Sequence, residues 1–130
     1  MNNGIIKIES ANNFEITYSK LRNTLENNPL IKIVAELDHS KNASKVNLNL
    51  GKTRIILFGN PKLGTPLMQS NSSVAIDLPQ KFIIFEQEEK VIVAYNDPVY
   101  LKERHAIKGH NVLLKKIDDA LRRFVESATI

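Results

Sequence analysis

Four stretches of the chain group side chains that can do chemistry. Asp38-His39 sets an imidazole beside a carboxylate, the pair from which a general base and its orienting partner are made. Asn60 in Phe58-Gly59-Asn60-Pro61 and Gln69 in Gly64-Thr65-Pro66-Leu67-Met68-Gln69 are amides able to orient a polar ligand. Asp77 follows in Asp77-Leu78-Pro79. Tyr95, ahead of Asn96-Asp97-Pro98, carries a phenol that can give a proton. Arg104, next to His105, is a planar guanidinium suited to a carboxylate or phosphate. The two catalytic candidates are therefore His39 and Tyr95. The ligand-binding candidates are Asp38, His39, Asn60, Thr65, Gln69, Asp77, Tyr95, Asp97 and Arg104.

Each of these has a plainer structural reading, and both readings stay open at this level. Neighbours on a strand point to opposite faces, so Asp38 and His39 pair only where the strand has ended. Asn before Pro is at home in a turn without any ligand. Thr65-Pro66 and Asp97-Pro98 follow the grammar of helix starts, an oxygen capping free N–H groups and a proline at the first position. The alternative is an anion held at those helix N-termini. Arg104 reads either as a strut to Asp77 or Asp97 or as a clamp on a substrate carboxylate. A buried tyrosine that bonds its hydroxyl is the default for Tyr95. Asp38, His39, His105 and His110 are metal-ligating types without HxH or HExxH spacing, so no metal and no cofactor are expected. No GxSxG elbow is present, and the five glycines are scattered rather than gathered into a phosphate loop.

A chain of 130 residues with 42% hydrophobic and 25% charged residues is an ordinary single globular domain. It buries about two-thirds of its surface on folding. Cysteine is absent, which removes disulfides and thiolate chemistry. The N-terminal residues do not read as a signal peptide, and no apolar run approaches the roughly 18 residues of a membrane span. A soluble, cytoplasmic protein is expected. The net charge of +4 divides into +1 over residues 1–50, 0 over 51–100 and +3 over 101–130. In the last third Lys115/Asp119, Asp118/Arg122 and Asp119/Arg123 are four apart, as partners on a helix are. That leaves no free basic stripe for nucleic acid.

The positioning elements follow from periodicity. Ile5–Glu9 reads as a strand. A helix capped by Asn13 carries Phe14, Tyr18, Leu21 and Leu25 on one face and ends at Asn27-Asn28-Pro29, where Asn tolerates a left-handed cap. Leu30–His39 alternates, with Ile31, Ile33, Ala35 and Leu37 on one buried face of an edge strand. Asn42–Asn47 is compatible with a helical turn. Strands Thr53–Gly59, Lys81–Glu86 and Lys90–Tyr95 follow, the last two joined by Gln87-Glu88-Glu89. A short helix starts at Thr65-Pro66 and another at Asp97-Pro98. Asn111 caps a last helix striped by Leu114, Ile117, Leu121, Phe124 and Ala128. The order is β-α-β-β-(short α)-β-β-(short α)-α: an α+β fold whose antiparallel sheet of about five strands carries the long helices on one face.

The middle strands are apolar on both sides. Ile55 and Leu57 alternate with Ile56 and Phe58, Phe82 and Ile84 with Ile83 and Phe85, Val91 and Val93 with Ile92 and Ala94. Two long helices cover one face, so the other needs a cover, because each large side chain left wet forgoes about 1.5–3 kcal/mol. The expected cover is the Asn60–Gln80 segment, with its Leu63, Leu67, Met68, Val74, Ile76 and Leu78, together with a second copy of the chain. An apolar ligand is the other candidate.

The run FGNPKLGTPLMQ, then DLP and YNDP, resembles the prokaryotic domain-of-unknown-function family 302, over about Phe14 to His105. The resemblance implies a TATA-binding-protein-like α+β fold and brings no agreed activity. Asn47 stands where the family pattern has glycine and Lys52 where it has proline. Two functional classes remain. One is a non-catalytic binding or regulatory module acting as a homodimer. The other is a small acid–base enzyme, or a carboxylate- or phosphate-binding protein, using the His39, Asn60, Asp97 and Arg104 corners. In a meander successive strand ends alternate, which would set His39 at the opposite end of the sheet from Asn60 and Asp97. DNA binding would need a basic concave sheet, and here the sheet offers aliphatic surface with Arg54 and Lys81.

Overall fold

The structure, a computed structural model, describes residues 3–130. Strand β1 (Ile5–Glu9) leads into α1 (Phe14–Glu26), and β2 (Lys32–Asp38) into a short α2 (His39–Ser44). Then come β3 (Thr53–Gly59), α3 (Pro61–Ser70) and a 3-10 turn at Ser72–Ile76. The hairpin of β4 (Gln80–Gln87) and β5 (Lys90–Asn96) is followed by α4 (Pro98–Arg104) and α5 (Asn111–Thr129). All strand pairs are antiparallel, in the order β1-β5-β4-β3-β2. The α+β architecture read from periodicity is the one observed.

Helix α1 begins where Asn13 Oδ1 accepts from the Ile16 N–H at 2.9 Å, and it buries Phe14, Thr17, Leu21 and Leu25. Its end differs from expectation: Asn27 stays right-handed at φ −79°, so Pro29 terminates the ladder without a left-handed asparagine. The apolar stripe of α5 packs beside α1 on the sheet face formed by Ile56, Phe58, Phe82, Ile84, Val91, Val93 and Tyr95. Phe58 stacks on Phe82 at 4.9 Å and meets Phe124 edge-on at 6.3 Å, which ties sheet to helix.

Several boundaries move. Asn111 does not cap α5; His110 does, at φ +57° without a side-chain bond, while Asn111 accepts from the Lys102 ammonium. Thr65-Pro66 does not open α3. The same oxygen-then-proline grammar operates five residues earlier, where Asn60 Oδ1 accepts from the Lys62 N–H at 3.0 Å and Pro61 takes the first position. Pro66 therefore sits inside the helix and deprives the Lys62 carbonyl of its donor. Asp97-Pro98 does open α4, with Asp97 Oδ1 accepting from the Val99 N–H at 3.0 Å. Asn47, in place of the glycine of the family pattern, lies at φ +62°, a conformation asparagine tolerates better than most residues. The β4–β5 connection is tighter than a three-residue loop: Gln87 pairs with Lys90, and Glu88 and Glu89 sit at φ +52° and +65°.

Two expectations about the sheet faces are corrected. A bulge between Ile33 and Ala35 breaks the alternation of β2, so Ile33 opposes Phe58 on the helix side while Ala35 and Leu37 oppose Leu57 and Ile55 on the outer side. Glu36 then meets Tyr18 and Arg22 of α1, while Asp38 meets Arg54 of β3. The Asn60–Gln80 segment does not cover the outer face either. It extends the helical layer, with Leu67 and Val74 in the same core as Phe58, Ile117 and Phe124. The middle strands are thus buried on one face and half-buried on the other at Ile55, Leu57, Ile83, Phe85 and Ile92, with Leu37 exposed. They are not sandwiched within one molecule.

Candidate functional site

Where β3 hands over to α3, the sheet, α3 and α5 fail to close on one another and leave a cavity of about 480 Å³. Its walls are Ile31, Lys32 and Val34 from the edge of β2, Phe58 and Gly59 from β3, and Leu63, Leu67 and Met68 from α3. Leu78 and Pro79 before β4, Gln80 at its start, and Ile117, Ala120, Leu121 and Phe124 of α5 form further walls. The Leu78–Pro79 peptide is cis. The size falls within the range of small-molecule pockets, and the lining is apolar apart from Lys32, Asn60, Thr65 and Gln80. The FGNPKLGTPLMQ and DLP motifs, which stand out in the sequence, thus build the wall of this hollow.

The candidate residues separate into two ends. Phe58 pairs with Gln80 and Asp38 with Arg54, so Asn60, Thr65, Asp77, Asp97 and Arg104 gather at one end of the sheet. Asp38 and His39 lie at the other. Of the candidates, Asn60 and Thr65 line the cavity; Gln69 is exposed on α3 and does not. Tyr95 is in the core, edge-on to Phe82 at 5.4 Å, and burial pushes its phenol pKa up. It holds its proton more tightly than a free tyrosine.

At the far end Asp38 is fully engaged. Its Oδ1 accepts from the Ser40 hydroxyl at 2.7 Å and from the Lys41 N–H at 2.9 Å, capping α2, while Oδ2 accepts from Arg54 Nε at 3.3 Å. Those bonds, the Ser40 hydroxyl foremost, hold its pKa down at about 2. None goes to His39, which is exposed as the first residue of α2. Arg54 also clamps Glu15 at 2.7 and 3.0 Å and lies over the rings of Phe14 and Tyr18. This is a structural edge of the sheet.

Close to the cavity is an arrangement that residue spacing did not reveal. Asp77 accepts both Arg104 Nη1 contacts at 3.0 Å and sits 2.5 Å from His105 Nε2. The Ser73 hydroxyl lies 2.8 Å from His105 Nδ1, and Asn71 Nδ2 donates to the His105 carbonyl at 2.6 Å. A carboxylate only accepts, so Nε2 carries a proton toward Asp77, and a neutral ring then accepts from Ser73 at Nδ1. Serine, histidine and aspartate are in a row, but the Ser73 N–H is bonded to Asn71 Oδ1 and Ser73 does not line the cavity. The row works as a lock between α4 and the 3-10 turn. That turn and its exit supply Ala75, Leu78 and Pro79 to the cavity wall. Arg104 and Asp77 were legible as a charge pair; Ser73 carried no signal, because its role comes from the approach of two distant segments. Among the described residues no three His, Asp or Glu side chains converge as metal ligands.

Comparison with known proteins agrees with this architecture. The fluoride-specific ion channels FluC 1 of Brucella suis biovar 1 (strain 1330) and FluC 1 of Brucella abortus biovar 1 (strain 9-941) are each 30% identical to this chain over 108 residues. The match covers 82% of this chain but 42% and 40% of theirs, so the chain spans about two fifths of the curated relatives it matches. Among the described residues no helix is long and apolar enough to cross a membrane. The crystal structure of an uncharacterized conserved protein DUF302 from Bacillus stearothermophilus superimposes with a TM-score of 0.84 at 12% identity, over 98% of this chain and 99% of that one. It shares the fold. The model of the family "Domain of unknown function DUF302" matches residues 6–128, beyond the 14–105 stretch that carries the sequence likeness and including α5. The chain belongs to the DUF302 family.

Proposed function

We propose that this chain is a non-catalytic binding module that takes a small, largely apolar ligand into the cavity between α3, α5 and the end of β3. The observation that carries the reading is the hollow itself, about 480 Å³ and walled by the motif-bearing segments. The acid–base alternative is weaker, because the sheet holds His39 apart from Asn60, Asp97 and Arg104. The channel activity in the relatives' names belongs to proteins about twice this length and supports no more than a module that can be carried by a larger protein. A cytoplasmic setting suits a chain without cysteine. The test is titration with the neutral dye Nile red. A saturable, blue-shifted signal is expected, lost in Ala120→Phe, which fills the cavity while far-UV circular dichroism is retained. No signal in the wild type, or an equal one in Ala120→Phe, refutes the reading.

The half-buried outer face supports a second part of the proposal, that two copies pair through Leu37, Ile55, Leu57, Ile83 and Phe85. Sedimentation equilibrium should find a dimer that Ile83→Lys converts to monomer. A monomeric wild type at high concentration rejects it.

A further inference from the structure

We propose that the ligand of this cavity is a monoanionic amphiphile, an apolar chain of about eight to twelve carbons ending in a carboxylate that Lys32 receives. This rests on the binding-module reading above and specifies its ligand class. Size sets the scale of the chain: about 480 Å³ lies toward the lower end of the roughly 300–1,000 Å³ range of small-molecule pockets, the scale of a medium-chain acid.

Charge sets the head group. Among the described residues that line the cavity, Lys32 is the one with a charged side chain. It enters no ion pair among the described residues. Glu26 and Glu36 border the adjoining groove that Lys32 also lines. Both are already held by Arg22, at 2.6 and 3.0 Å, and Glu36 also accepts from the Tyr18 hydroxyl at 2.5 Å. The Lys32 ammonium is therefore left to attract a negative group at an otherwise apolar hollow. One negative charge matches one cation. A dianion such as a phosphate monoester would bring a second charge against walls of Leu63, Leu67 and Phe124 with nothing to pair it. An alkylammonium would meet like charge.

The test compares octanoate, 1-octanol and octylammonium by calorimetric and nuclear magnetic resonance titration, with wild type and Lys32→Ala. Octanoate should bind wild type about fivefold more tightly than octanol, the scale of an exposed ion pair, and octylammonium most weakly. Lys32→Ala should bring octanoate down to the level of octanol measured on the same variant, with resonances of Leu67 and Leu121 shifting in each case. Equal binding of octanoate and octanol to wild type overturns the head-group assignment while the cavity reading survives. If none of the three perturbs cavity resonances, both the assignment and the cavity reading fall.

Discussion

Replacing Asp77 separates a packing lock from an incidental surface charge. Asp77 is 14% exposed, its partner His105 5% and Arg104 47%. Asp77→Ala removes the acceptor of a buried imidazole N–H, a loss of about 1–3 kcal/mol. It also removes a half-exposed ion pair, which contributes about 0.2–1 kcal/mol. Together these predict about 1–4 kcal/mol of destabilisation. Asp77→Asn should cost far less, because the amide oxygen of the new side chain can still accept from the His105 Nε2–H. Urea unfolding read as a shift in midpoint at constant slope measures both variants. The Arg104 share should shrink in high salt while the His105 share persists. A loss below about 0.5 kcal/mol in Asp77→Ala, or equal losses in the two variants, refutes the lock.

Two further predictions test parts of the scaffold. Because Asp38 titrates near 2 in the folded chain against 3.8 for a free carboxyl, its contribution is complete above about pH 4 and disappears as pH falls through 2. Asp38→Asn should therefore flatten the decline in melting temperature between pH 4 and 2, with Glu15, also held low by Arg54, providing the remaining slope; an unchanged profile contradicts the assignment. Glu89→Gly should raise the melting temperature by about 4 °C, since it relieves a left-handed residue worth about 1 kcal/mol at φ +65° in the β4–β5 turn; a lower melting temperature refutes it.

What the chain's own order of residues determined is everything that repeats within a few positions. Three-four spacing of Phe14, Leu21 and Leu25, and of Leu114, Ile117 and Leu121, specified two amphipathic helices, because each turn returns the same face to the same side. Short apolar runs bounded by turn residues specified the middle strands and hence an antiparallel α+β sheet. Asp97-Pro98 announced α4, but the equally plausible Thr65-Pro66 misplaced α3, since Asn60-Pro61 offers the same chemistry one turn earlier and local grammar cannot rank the two. The inward face of β2 was misread beyond Ile33 because a bulge adds one residue without any mark in the hydropathy pattern.

Only the tertiary structure decided where the functional candidates meet. Strand pairing separated His39 from Asn60 and Arg104, whose distance in space bears no relation to their distance along the chain. It brought Ser73, Asp77 and His105 together from two segments about 30 residues apart. The cavity is the most remote of all from the linear order: it is space that β2, β3, α3 and α5 leave unfilled, and a void arises from the fit of four surfaces rather than from any residue in them. Lys32 shows the consequence, an unremarkable first residue of an edge strand that becomes the charge at a hollow left between the sheet, α3 and α5.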